Sequence, residues 1–595
     1  MPFISYSNLH QMLKEAVEHS PDTQAYRWFD TKLAVHGVTW REFYTQVERV
    51  SKSLLALGLK KSDKVCIQSN TCYHWVLSDL GIVSMGAVTV GIYQSNLAKE
   101  CEYIINHSDA LVVFVENEEQ LAKLYAVKNQ LTHVRKVVLF HGESSDDWVM
   151  SYEQFLLLGD SLDDQTLKIA QDAVVSDDIA SLVYTSGTTG IPKGAMLSHG
   201  NIIFVTQSVL NSVDVYKGDS TLLFLPLAHV FARAILYASL YSNTLTYFNR
   251  SMDTLLEDFK LSQPQWFASV PRIYEKVYAK VNSGAEAKGG LTLKIFHWAC
   301  AIGAKVSEAR TSRKSIPYTL GIQYKIAHKL VFSKLQAAFG GRLRWCISGA
   351  APMNASIAKF FDGAGIPILE GIGMTENTSF SNINRPDNYR FGTVGQAGPG
   401  IEVKIASDGE FLVRGPNVMK GYYKMPEETA RTITPDGWLL TGDLAAIDEE
   451  GFVTITGRKK DLIITSGGKN IAPSAIEGLI ALSKYINQVC VIGDKQKYLT
   501  ALVTLDKENI TQYCHEHGIA FDSINALADN AAINSLIKTE IAVSNQQLAS
   551  YETVKKFAIV PDFTLENGFL TPTLKIKRNL VLKQYAEKIE QLYGE

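Results

Sequence analysis

The chain lacks a cysteine framework. Its seven cysteines (Cys66, Cys72, Cys101, Cys300, Cys346, Cys490 and Cys514) are scattered over 595 residues. Cys66 and Cys72 are the nearest pair, and no second pair or histidine cluster completes a zinc set. An odd, sparse count fits a reducing compartment and structural thiols. An excess of either charge is lacking as well. The 58 basic and 61 acidic residues leave a net charge of −3, which gives no general attraction to nucleic acid or anionic lipid. The opening MPFISYSNLHQMLKEAVEHS has neither the basic start nor the apolar run of a signal peptide. The most apolar stretch, LGIVSMGAVTVGIY, is too short and glycine-rich for a spanning helix. Internal repeats and low-complexity tracts are absent. These absences predict a soluble, cytoplasmic globular protein without nucleic-acid partners, with peripheral membrane contact left open.

What is present is an alternation. Short β-rich runs such as KVCIQSN, ALVVFVEN and KVVLFH are interleaved with longer helical patterns such as EEQLAKLYAVKNQL. That order predicts an α/β sheet architecture. From about 281 to 340 the composition shifts to an Ala/Lys/Arg-rich helical insertion, ahead of the strand RLRWCISGAA. Its basic residues (Lys276, Lys280, Lys294, Lys305, Arg310, Arg313 and Lys314) read first as a solvated helix face, with a membrane surface as the alternative. A second boundary falls near Gly457. Before it, GEFLVRG, GWLLTGDLAAID and GFVTITG are short strands punctuated by glycine-containing turns. After it, a smaller α/β unit has QVCVIGD and TALVTLD as strands. The expected division is a large N-terminal domain over 1–456, a hinge at 457–461 and a small C-terminal domain over 462–595.

The stretch YTSGTTGIPKGAM carries the chemistry. IASLVY (179–184) reads as a buried strand feeding a loop of glycines and hydroxyls, and SHGNIIFVTQSVL as the helix beyond it, starting near Ser198 or His199. A strand, a glycine loop and a helix form a usual setting for phosphate binding by backbone N–H groups. The loop is not the common nucleotide P-loop, because Lys193 is followed by Gly194 and no hydroxyl residue stands there to hold magnesium. The physics is nevertheless similar. Glycines let amides converge, hydroxyls donate, and Lys193 adds a mobile positive charge.

YTSGTTGIPKG resembles the signature of the adenylate-forming enzymes, which comprise acyl-CoA synthetases, adenylation domains of peptide synthetases, and luciferases. SGAAPM (348–353), GIGMTEN (371–377), GWLLTGDL (437–444), GRKKDLIITSGGKNI (457–471) and LTPTLKIKR (570–578) resemble the later motifs of that family, in the family's order. The resemblance covers most of 179–578. It implies an α/β fold, with a large N-terminal domain of packed α/β sheets that includes a small β-barrel-like part, and a small mobile α/β C-terminal domain. It also implies a reaction in which ATP and Mg2+ convert a carboxylate to acyl-AMP with release of pyrophosphate, followed by acyl transfer to a second nucleophile.

Site residues follow from the same resemblance. Thr185, Ser186, Gly187, Thr188, Thr189, Gly190 and Lys193 would hold the β- and γ-phosphates. Glu376, after Thr375, would be the magnesium ligand, a hard carboxylate that shares the ion with phosphate oxygens. Gly349 and Ala350 would lie beside adenine, as would Ile372 and Gly373; the family usually has an aromatic residue where Ile372 stands. Asp443 would accept both ribose hydroxyls, and Arg458 would contact ribose or phosphate. Lys575 would reach into the site and bond the carboxylate and α-phosphate as charge builds in the transition state. Lys460 matches the hinge, Gly467 and Gly468 the approach of the pantetheine arm, and His229 the junction of acyl group and pantetheine. LPLAHVFAR, VPRIYEKVY, the helical insertion and LTPTLKIKR resemble the long-chain branch. The expected substrates are therefore a long-chain fatty acid, ATP and coenzyme A. A fatty acyl-AMP ligase serving a carrier protein, and a non-catalytic acyl or nucleotide sensor, are the alternatives.

Overall fold

Residues 3–185, 191–571 and 575–594 are described by a computed structural model. Among them, the largest sheet has seven strands in the order Val149–Ser151, Lys136–Leu139, Ala110–Val115, Lys64–Gln68, Val88–Ile92, Ile179–Thr185 and Lys193–Ser198. The first six run parallel and the last is antiparallel. Strands such as ALVVFV are almost continuously apolar because helices cover both faces of a parallel sheet. A second sheet places Trp266–Ser269, Trp345–Ser348 and Ile368–Ile372 side by side in parallel, and Asn382–Ile383 and Gln396–Ala397 extend it antiparallel. One core runs through both layers, from Trp40, Phe43 and Trp75 to Phe259, Phe267 and Phe361.

Between Trp266–Ser269 and Trp345–Ser348 the chain leaves the sheet as helices Pro271–Lys288, Gly290–Thr311, Tyr318–Ala327 and Ser333–Ala338. The helical segment thus begins at Pro271 rather than near 281. Proline fits the first helical turn, where its missing N–H would have had no partner anyway. An antiparallel four-stranded sheet follows, formed by Glu402–Ile405, Glu410–Arg414, Leu439–Ile447 and Val453–Arg458.

Beyond Arg458 the chain builds a smaller unit with its own core. Strands Ile486–Ile492, Leu499–Leu505 and Val554–Ile559 pack on Ile476, Ile480, Ile533 and Ile537. Contacts tie this unit to the larger one. Arg272 donates to Asn487, and Lys484 pairs with Glu286 at 2.8 Å, so the small unit sits against the helix Pro271–Lys288. No helix among the described residues is long and apolar enough to cross a membrane.

Candidate active site

The loop after Ile179–Thr185 does not lead into a helix. It closes an antiparallel hairpin in which Thr185 faces Lys193 and Tyr184 faces Gly194, and the helix His199–Leu210 starts only after the second strand. The expected setting of strand, loop and helix is therefore replaced by a two-stranded turn, so that helix N-terminus is not part of the loop. The run KGAMLS is short and mixed in character and gives no clear strand signal of its own. Ser186, Gly187, Thr188, Thr189 and Gly190 lie outside the described residues. Lys193 stands at the hairpin mouth, pairs with Glu428 and lies 5.2 Å over the Tyr422 ring.

Tyr422 connects this lysine to the expected metal carboxylate. Its hydroxyl donates to Glu376 Oε1 at 2.5 Å, and Glu376 is buried beside Thr375 in a short turn over Thr375–Asn377. The turn is tight. Thr378 and Ser379 both adopt left-handed backbone (φ 56° and 74°), a strained choice for side-chain-bearing residues. It brings the Ser379 carbonyl so close to Gly373 that no Cβ could be accommodated there. Gly373 is thus required by the turn itself, whatever ligand lies beside it. Among the described residues no group of three or more His, Cys, Asp or Glu side chains could form a protein-only metal cage. A single carboxylate nevertheless fits Mg2+, which keeps several waters and phosphate oxygens.

The residues expected beside adenine line an apolar pocket. Gly349, Ala350, Ile372 and Gly373 share its wall with His229 and Phe231. The Phe231 ring lies against Gly349, where an added Cβ would come within 3.3 Å of it. Ala350 is left-handed (φ 69°), so the 348–353 loop turns sharply after the buried strand Trp345–Ser348. The pocket is also lined by Val209, Val213, Ile235, Trp266 and Trp345, and the two indoles stack with centroids 5.6 Å apart.

His229 caps the helix Val230–Tyr241. The Phe231 N–H donates to its Nδ1 at 3.1 Å. Nδ1 therefore carries no proton, and in the neutral ring Nε2–H is the donor. Burial, with the Lys575 charge as a second cause, lowers the pKa of His229 to about 4, so the neutral form holds at pH 7. The histidine is a helix cap and a pocket-wall donor at once.

Asp443 and Arg458 face each other across adjacent strands, with Arg458 Nε donating to Asp443 Oδ1 at 2.8 Å. Lys575 completes this cluster from the far end of the chain. A turn positions it, in which the Thr571 N–H donates to the Lys575 carbonyl at 2.8 Å and Leu570 bridges Ile576. The residue as a whole is exposed, yet protein atoms crowd around the ammonium. Loss of hydration and then the Arg458 charge lower its pKa, while Asp443, Glu376 and Asp461 oppose them. Residues 443, 458, 376, 229 and 575 thus act on one another electrostatically. Lys460, Gly467 and Gly468 are not part of this cluster. Lys460 is exposed just after the strand Val453–Arg458. The two glycines are exposed in the hairpin between Ile463–Ile464 and Asn470–Ile471.

Three residues in the site escaped the motif reading. Tyr422 and Glu428 come from GYYKMPEET, whose tyrosines and charges look like an ordinary helix approach. Glu370 sits one residue ahead of GIGMTEN, and its Oε1 accepts from the Met353 N–H at 3.1 Å, holding the 348–353 loop. A carboxylate inside an apolar strand, ILEGI, was the available signal. Burial raises the Glu370 pKa to about 7, so its charge appears as pH rises through neutrality. The buried carboxyl must ionise as pH rises from 4.5 to about 7, so the fold should lose stability over that range, and Glu370→Gln should remove the dependence; Tm against pH measures it.

The AMP-binding enzyme family matches residues 13–423, and the AMP-binding enzyme C-terminal domain matches 460–595. The long-chain-fatty-acid–CoA ligase FadD15 of Mycobacterium tuberculosis is 35% identical over 99% of this chain and 97% of its own. The human long-chain-fatty-acid–CoA ligase ACSBG2 is 30% identical over 93% of this chain and 88% of its own. In fold, the chain is similar to the adenylation domain of a carboxylate reductase from Mycobacterium chelonae. That match has a TM-score of 0.78 at 22% identity and covers 99% of this chain and 91% of the other. With a matching family model over most of its length and full-length relatives at this identity, the chain belongs to the AMP-binding enzyme family.

Proposed function

We propose that this protein is an ATP-dependent long-chain fatty acid–CoA ligase, which converts the acid to acyl-AMP with release of pyrophosphate and then passes the acyl group to coenzyme A. The observation that carries this reading is the electrostatic grouping of Lys575 with Asp443, Arg458, Glu376 and His229, the last of which also lines an apolar pocket. The full-length relatives named as long-chain-fatty-acid–CoA ligases support the substrate class.

A carboxylate resists nucleophilic attack because charge and resonance protect its carbon. Lys575 would bond the acid's oxygen and the α-phosphate together, neutralising charge where it builds. Asp443 keeps one oxygen free of Arg458 and would accept ribose hydroxyls. Thr185, Lys193 and the loop 186–190 would hold the β- and γ-phosphates, Lys193 exchanging Glu428 for them. Mg2+, held by Glu376 and phosphate oxygens, would supply charge neutralisation on the phosphates. Gly349, Ala350, Ile372 and Gly373 would flank adenine, and the apolar pocket would take the acyl chain.

The second step needs the exposed Gly467 and Gly468 where Lys575 now stands. We assign the turnover between steps to rotation of the small domain (462–595) on the large one (1–456) about residues 457–461, with Lys460 in the hinge. The contacts Arg272–Asn487 and Lys484–Glu286 would hold the state described here, which presents Lys575. The test follows pyrophosphate release with palmitate and magnesium-ATP, with and without CoA. CoA-dependent turnover to palmitoyl-CoA is expected. Enzyme-bound palmitoyl-AMP that CoA cannot discharge would reassign the second step to a carrier protein, and no turnover with any fatty acid would overturn the reading.

A further inference from the structure

The helical segment between the strands Trp266–Ser269 and Trp345–Ser348 carries a surface that the reaction does not use. Tyr318–Ala327 continues through a π-turn, His328–Phe332, into Ser333–Ala338. Its inner face is anchored. Ala327, Phe332 and Leu335 are buried, the Tyr324 ring lies 5.3 Å from the Arg310 guanidinium, and Gln336 donates to the Ala364 carbonyl. The outer face is apolar and bare. Tyr318, Ile322, Ile326 and Leu330 recur every four residues and are 83%, 44%, 48% and 44% exposed, so they form one row along the helix. Isolated exposed apolar residues are common, but an aligned row of them marks an interaction surface.

Along the chain, the charge flanking that row is of one sign. Lys325 and Lys329 alternate with its members, Arg313 and Lys314 precede it, and Lys334 follows. From residue 309 to residue 361 the sequence contains nine lysines and arginines and no aspartate or glutamate. In a chain of net charge −3, this is a local reversal that the overall balance conceals.

We propose that the outer face of Tyr318–Leu330 docks on an anionic lipid bilayer, with Tyr318, Ile322, Ile326 and Leu330 at the acyl boundary and the flanking lysines on the headgroups. An apolar row bordered by basic residues, on a helix whose opposite face is fixed to the protein, matches the chemistry of an interface-lying helix. A second copy of this chain suits the surface poorly. A two-fold contact would set Lys325 and Lys329 against the same residues of the other copy. A bilayer is also where a long-chain acid partitions, so docking there would shorten its route to the enzyme.

The test is cosedimentation of the full chain with vesicles of phosphatidylcholine alone, or of phosphatidylcholine mixed with phosphatidylglycerol. Wild type should bind the anionic vesicles and be released by salt, a result that depends on no variant. Near such a surface each lysine contributes about fivefold in partition. Lys325→Glu with Lys329→Glu should therefore weaken binding by about 25-fold or more, and Ile322→Ser with Ile326→Ser should weaken it comparably. Both variants should keep wild-type activity on a short, water-dispersed acid, which reports intact folding. Wild type remaining in the supernatant with anionic vesicles would overturn the proposal, as would either variant binding like wild type. Loss of a dimer in Ile322→Ser/Ile326→Ser, with vesicle binding unchanged, would reassign the face to self-association and overturn it equally.

Discussion

Lys575→Ala is expected to slow formation of acyl-AMP by about 10²–10³-fold, the usual cost of losing one group aimed at developing charge. Thioester formation from supplied acyl-AMP and CoA should stay near the wild-type rate. The asymmetry follows from geometry. The lysine enters the cluster of Asp443, Arg458 and Glu376 only because the small unit is docked as described, whereas Gly467 and Gly468 are elsewhere on that unit. A rotation that brings the glycines in must carry Lys575 out. Rapid-quench measurement of each half-reaction is the assay, and equal loss in both steps would remove the two-state assignment.

The same lysine predicts a pH profile. Enclosure by protein, followed by the neighbouring Arg458 charge, lowers its pKa from the ordinary lysine value, which is about 10.4. The working form is the charged one, and a lowered pKa means that charge is lost earlier as pH rises. The alkaline limb of kcat/KM for adenylation, which reports the free enzyme, should therefore fall below the ordinary lysine range. In Lys575→Arg that limb should move out of reach, because guanidinium does not titrate there. His229 cannot supply the acid limb above about pH 5, since its pKa is already lowered to about 4.

How much of this was legible in the sequence depends on how local each feature is. KVCIQ, ALVVFV and KVVL were readable as strands because a parallel sheet buries both faces and leaves a short apolar run. The helix Tyr73–Ser84 is buried on nearly every side, so HWVLSDLGIVSMG was readable as helical from its length and its place between two short strands, not from a polar face. The motifs carried Lys193, Glu376, Asp443 and Lys575 through the likeness of their neighbours. What those residues touch was not readable. Lys193 finds Glu428 across 235 positions, and Glu376 finds Tyr422 across 46. Such pairings are set by how the hairpin 179–198 and the 419–432 segment pack together, which no local pattern encodes. The hairpin itself was missed for a related reason: one strand, KGAMLS, is recognisable only by its pairing with IASLVYT.

Glu376→Gln is expected to raise the magnesium concentration needed for half-maximal adenylation by at least about tenfold, in the range seen when a metal ligand or its support is lost. Glutamine is the informative replacement. The Tyr422 hydroxyl donates to Glu376 Oε1 at 2.5 Å in a buried position, and alanine would remove that acceptor at a cost of about 1–3 kcal/mol. Glutamine keeps an acceptor for Tyr422 and removes only the charge, so a change in the magnesium response cannot be put down to a collapsed turn. Tyr422→Phe separates the roles further. It leaves the carboxylate charged but free to rotate, and should weaken the magnesium response by a smaller factor than Glu376→Gln while leaving thermal stability within about 1–2 kcal/mol. Lys193 lies over the same ring, so Tyr422→Phe, which keeps the ring, should not disturb the lysine's position. Magnesium titrations of pyrophosphate release at saturating ATP provide the measurement. An unchanged magnesium midpoint in Glu376→Gln would take this carboxylate out of the metal site and leave its bond to Tyr422 as its whole function.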